Sequence, residues 1–153
     1  IAGPKEVSTS QDRLLGFQEA MEEAGLKPVM VRHGNFTYES GYELAKAILE
    51  TEKVEAIMCG NDLMAIGAIR ALEDSGLNVP KDVGVTGFDC IILAELFRPQ
   101  LTSVRVPCFE IGRTAALNLL KGKLQKSQRL SVQIVRGFSC VARDRAERGK
   151  YVN

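Results

Sequence analysis

The sequence predicts an α/β fold in which a parallel sheet lies between layers of helices, a three-layer sandwich, and three observations lead there. Short apolar runs alternate with stretches whose apolar residues recur at helical spacing. The helical stretches are ten or more residues long, the length that a crossover between parallel strands requires. The chain of 153 residues, 45% hydrophobic and 25% charged, is long enough for one substantial core but not for two ordinary domains.

After the opening Ile1-Ala2-Gly3-Pro4, the polar stretch Ser8-Thr9-Ser10 leads into Leu14, Phe17, Met21 and Ala24, which recur at helical intervals and stop at Gly25. Residues 28–31 read as a short strand. Past the loop Gly34-Asn35-Phe36-Thr37, a second helix carries Tyr42, Ala45, Ile48 and Leu49, and 54–59 then reads as a buried strand. Asn61-Asp62 caps a third helix through Met64, Ala65, Ala68, Ile69 and Leu72, closed by Gly76. A strand over 83–88 follows, with Asp89 just past its end. A loop leads to a strand over 101–106, a helix over about 108–120 and a last strand over 132–135. The charge run 143–148 reads as a solvated tail.

Composition narrows the function. With 20 Lys+Arg against 19 Asp+Glu, no net field draws this segment to nucleic acid or a bilayer. Cys59, Cys90, Cys108 and Cys140 are scattered without a C-x-x-C pair, which argues against a zinc or dithiol site and leaves a reducing cytosol as the default compartment. No apolar run reaches membrane-spanning length, and no signal peptide is visible. There is no Gly-x-Gly-x-x-Gly, Walker loop or nucleophile elbow, and His33 has no partner motif. The expectation is a binding module, without metal or cofactor, and not an enzyme.

In open parallel sheets, ligands bind beyond the carboxyl ends of the strands, where loops meet helix N-termini. Asn61 and Asp89 fall at two such ends. Arg13 is placed in the first turn of its helix, where the macrodipole disfavours a cation by about 0.3–1 kcal/mol, so it serves something else or simply reaches solvent. A guanidinium fork, an amide and a carboxylate together suit the hydroxyls of a sugar or the edge of a nucleobase, and Phe36 offers a flat apolar wall. Each has a plainer role open to it. Asn61 can be a helix cap, Asp89 a turn acid, Arg13 a partner of Asp12 or Glu6, and Phe36 a core residue.

The run Cys59-Gly60-Asn61-Asp62-Leu63-Met64-Ala65-Ile66-Gly67-Ala68, then Gly76-Leu77-Asn78-Val79-Pro80-Lys81-Asp82-Val83 and Gly87-Phe88-Asp89, closely resembles the lactose/galactose repressor family. The likeness continues through Pro99-Gln100-Leu101-Thr102-Ser103-Val104 and Ile111-Gly112, and begins as early as Arg13-Leu14-Leu15-Gly16-Phe17-Gln18-Glu19-Ala20-Met21.

The resemblance implies a periplasmic-binding-protein-like (type I) fold, here a fragment of it. Residues 1–106 correspond to the distal effector-binding subdomain without its first strand and helix, 107–130 to a segment that crosses the hinge and packs on the amino-proximal subdomain, and 131–153 to the return strand and tail. Arg13, Asn61 and Asp89 match positions that hold the effector, and Phe36 matches an aromatic that stacks on it; Val7 and Val106 replace polar contacts of some members. The implied protein is a cytoplasmic transcription regulator, with DNA bound through an N-terminal headpiece outside this chain. The alternative is a periplasmic sugar-binding protein of a transporter. Homodimerisation is expected through Met64, Ala68 and Leu72 of the third helix and the apolar loop residues Leu93, Leu96 and Phe97.

Overall fold

The computed structural model describes residues 1–121 and 128–141; the charge run 143–148 lies outside them. The first helix, α1 (Ser8–Glu23), ends as its glycine predicts. Gly25 takes φ 68°, Gly25 N–H donates to the Glu22 carbonyl and Leu26 N–H to that of Met21, so the last turn is satisfied by a left-handed cap. The helix α3 (Asp62–Asp74) closes in the same way through Gly76 at φ 78°, with Leu77 N–H on the Leu72 carbonyl. Between them, α2 (Tyr38–Thr51) starts on Thr37, whose hydroxyl accepts from Ser40 N–H.

The core lies around α3. Met64, Ala65, Ala68, Ile69, Ala71 and Leu72 are wholly buried, and each large apolar side chain among them contributes about 1.5–3 kcal/mol. Glycines bring α2 and α3 together: a Cβ on Gly41 would lie 2.1 Å from the Met64 carbonyl, and one on Gly67 2.1 Å from that of Tyr38. This packing corrects one expectation. Met64, Ala68 and Leu72 are core residues covered by their own chain, so they present nothing to a second subunit; the resemblance on which that expectation rests points to a helix, not to which of its faces is left uncovered.

The strands are β1 (Ala56–Met58), β2 (Gly84–Thr86), β3 (Ser103–Arg105) and β4 (Gln133–Val135). The first two pair in parallel, and parallel bridges Thr86–Thr102 and Asp89–Arg105 join β2 to the segment of β3. β4 departs from the parallel expectation by running antiparallel to β3. The helix between them, α5 (Cys108–Leu120), buries none of its residues and so cannot act as a crossover helix resting on the sheet. Residues 28–31 do not form the expected strand. Pairing on that side is limited to a bridge between His33 and Ala2. The expected loop around Leu93 holds a short helix, α4 (Ile92–Leu96), pinned by buried Ala94, whose carbonyl accepts from Leu101 N–H.

Cys59 is fully buried and its thiol is pushed up to about 11 by that burial, which keeps it protonated and inert. Among the described residues, no helix is long and apolar enough to cross a membrane.

Candidate effector site

Three segments meet at the carboxyl ends of β1 and β2. The first is α1, which begins at Ser8 and so carries Arg13 in its second turn, not its first; the macrodipole argument loses most of its force there. What holds Arg13 is local. One guanidinium nitrogen donates to the Gly60 carbonyl at 2.6 Å, another to Asp89 Oδ1 at 2.9 Å, and the group lies 4.0 Å from the centre of the Phe88 ring.

The second segment is the turn after β2. Asp89 and Cys90 both have left-handed backbones, φ 101° and 55°, a conformation that side chains resist and that surrounding contacts must impose. Those contacts are visible. Asp89 N–H donates to the Val104 carbonyl at 3.0 Å, Cys90 N–H to Ser103 Oγ at 3.1 Å, and Ile91 N–H to Asp62 Oδ2 at 2.7 Å. Burial raises the Asp89 carboxyl above its usual range, and the Arg13 charge and hydrogen bond pull it back in part.

Asp62 is the anchor of that turn. It is 1% exposed, accepts from Ser103 Oγ–H at 2.6 Å as well as from Ile91 N–H, and its carboxyl is raised by burial against the lowering effect of these bonds. A Cβ on Gly87 would lie 2.3 Å from Asp62 Oδ1, so the strand end approaches this carboxylate only because residue 87 has no side chain.

The third segment is the entrance to α3. Asn61 caps it: Oδ1 accepts from Met64 N–H at 3.0 Å, and Nδ2 donates to the Phe36 carbonyl at 2.9 Å. The plainer role considered for Asn61 is thus occupied, with one amide N–H left over. Phe36 is half-buried with φ 68°, packs against the core, and covers Gly3, where a Cβ would come within 2.2 Å of its ring. Arg13 and Asp89 are therefore in direct contact. Asn61 adjoins them through the Gly60 carbonyl, and Phe36 joins through Asn61. The sequence reading missed Phe88, the Gly60 carbonyl and Asp62. Of these, only Asp62 left a signal, as an acid in the first turn of an otherwise apolar helix.

Residues 1–144 match the family model of the periplasmic binding protein-like domain. The HTH-type transcriptional repressor PurR of Salmonella arizonae is 40% identical over 138 residues, which are 86% of this chain and 40% of that protein. A dimeric lac repressor with a C-terminal deletion superposes with a TM-score of 0.87 at 30% identity, covering 93% of this chain and 54% of the other. The complex of the transcriptional regulator CelR with cellobiose superposes with a TM-score of 0.83 at 34% identity, covering 91% and 45%. The chain thus spans about 40–54% of the length of these relatives. It belongs to the periplasmic binding protein-like family.

Proposed function

We propose that the Arg13–Asp89 pair is the polar centre of an effector site for a sugar or a related small metabolite, and that the intact protein is a DNA-binding transcription regulator. The observation that carries this reading is the pair itself, half-buried at the carboxyl ends of parallel strands, with Arg13 also bonded to the Gly60 carbonyl just before Asn61. A ligand hydroxyl can accept from Arg13 and donate to Asp89, replacing the bond these two groups make to each other. The cellobiose bound by the relative CelR supports a sugar.

In this reading, residues 1–106 form the distal subdomain, 107–130 cross the hinge, 131–153 return, and a headpiece outside this chain binds DNA in the cytoplasm. Dimerisation uses Leu93 and Leu96 of α4, which are exposed, with the half-buried Phe97 beside them. The relatives named above are regulators, which leaves the transporter alternative without support.

Thermal-shift screening of the intact regulator against sugars, nucleobases and phosphorylated sugars tests the reading. A ligand at a hundred times its Kd adds about 2.7 kcal/mol to stability. The expected result is a class of hit whose shift disappears in Arg13→Ala; a hit that shifts both proteins equally places the site elsewhere.

A further inference from the structure

The turn after β2 holds two successive residues other than glycine in left-handed backbone, Asp89 at φ 101° and Cys90 at φ 55°. Such a pair persists only where contacts over-determine it. On its outer side the turn is tied by Arg105, which donates to Cys90 Sγ at 3.5 Å and pairs with Glu95. Those two charged side chains are nearly half exposed, and solvent screens a pair of that kind. The inner tie is dry. Asp62 and Ser103 are each 1% exposed and bonded to one another, and between them they accept from Cys90 N–H and Ile91 N–H.

An aspartate in the first turn of a helix ordinarily answers the free N–H groups of that helix. The oxygens of Asp62 are turned elsewhere: Oδ1 accepts from Ser103 Oγ–H and Oδ2 from Ile91 N–H, while Asn61 takes Met64 N–H. A buried carboxylate is costly, so packing alone would be served better by an apolar side chain at this entrance to the core. The neighbouring strand end also makes room for it, since a Cβ on Gly87 would lie 2.3 Å from Oδ1.

We infer that Asp62, with Ser103, is the positioning residue that holds Asp89 against Arg13. Its part in effector binding rests on the reading of that pair given above, whereas the geometry it maintains does not. Cys90 N–H on Ser103 and Ile91 N–H on Asp62 fix the backbone that follows Asp89, and Asp89 N–H on the Val104 carbonyl fixes the backbone before it. With both sides set, the Cα–Cβ bond of Asp89 has one direction, which brings Oδ1 to 2.9 Å from the Arg13 guanidinium. Without the inner tie, Asp89 and Cys90 would relax toward negative φ, and the carboxylate would swing away. The guanidinium would keep the Gly60 carbonyl and the Phe88 ring but lose its anion.

The test follows the Arg13 guanidinium by NMR in the ligand-free intact protein, with isotopically labelled arginine and the signal assigned through Arg13→Ala. Asp89→Ala sets the rate at which the Nη protons of a released guanidinium exchange with water. Asp62→Ala is expected to speed that exchange about tenfold, the change that one lost charge-assisted hydrogen bond gives, and so to approach Asp89→Ala. Ser103→Ala should move the same way by a smaller factor, because Ile91 N–H keeps its partner, and it decides the matter if Asp62→Ala does not fold. Asp62→Asn should restore the parent's rate, since its amide oxygen still accepts from Ile91 N–H and its amide N–H can donate to Ser103 Oγ. Leu72→Val, which loosens the core near the other end of α3, should leave the rate unchanged. Exchange at the parent's rate in both Asp62→Ala and Ser103→Ala, or a rise of the same size in Leu72→Val, overturns the inference. No ligand enters this measurement, so its outcome is independent of the thermal-shift screen that tests the effector reading.

Discussion

Asp62 and Asp89 sit close enough that the charge of Asp89 helps to raise the carboxyl of Asp62, although burial is the larger cause at both. A carboxyl raised in the folded state holds its proton there longer than in the unfolded chain. Its contribution to stability is therefore greatest at low pH and declines as pH rises from the ordinary carboxylate range through the folded pKa. Asp62→Asn keeps the acceptor for Ile91 N–H and removes the ionisation. Urea midpoints recorded from about pH 4 to about pH 7 should fall less with rising pH in this variant than in the parent; parallel curves would show that Asp62 titrates normally. The strand-end positions of Asn61 and Asp89 were legible because caps and strand ends are local features. Phe88 and the Gly60 carbonyl were not, because which face of a strand end or which carbonyl a guanidinium reaches depends on how separate elements pack.

Between elements, the α2–α3 contact depends on the two glycines where the backbones touch. Gly41→Ala would drive a methyl into the Met64 carbonyl, an overpacking that costs about 1–3 kcal/mol or more. Gly16→Ala, within α1 where nothing lies within 4 Å, should instead gain about 0.5–1 kcal/mol from helix propensity. Urea unfolding of the two variants separates the cases, and equal midpoints would mean that the helices do not approach this closely. Helical spacing, the Thr37 and Asn61 caps and the glycines at 25 and 76 made the helices readable in order. Residues 28–31 have strand composition but remain unpaired beside an open slot, and propensity does not supply a pairing partner.

At the scale of the molecule, α5 presents an apolar face that none of the described elements buries. Phe109, Leu119 and Leu120 are 77%, 73% and 84% exposed, and Ile111 and Ala115 are exposed beside them. Surface of this kind drives association. Sedimentation of the 153-residue chain should show concentration-dependent self-association that Leu119→Lys with Leu120→Lys reduces; a monomer at all concentrations would mean that the face is covered in solution. The α/β class was legible from the alternation of elements alone. The antiparallel β4 was not, because strand direction there depends on whether α5 lies on the sheet, a question of packing beyond the reach of periodicity.

The central claim is that Asp89 serves a ligand and not only its turn. Calorimetric titration of the intact protein with a ligand identified by the thermal-shift screen tests it in the parent and in Asp89→Ala. Loss of a charge-assisted acceptor should weaken binding by about 1.5–3 kcal/mol, tenfold or more, with cooperative unfolding preserved. An unchanged Kd in a normally folded Asp89→Ala protein would contradict the account and leave Asp89 as a residue that only shapes the backbone after β2.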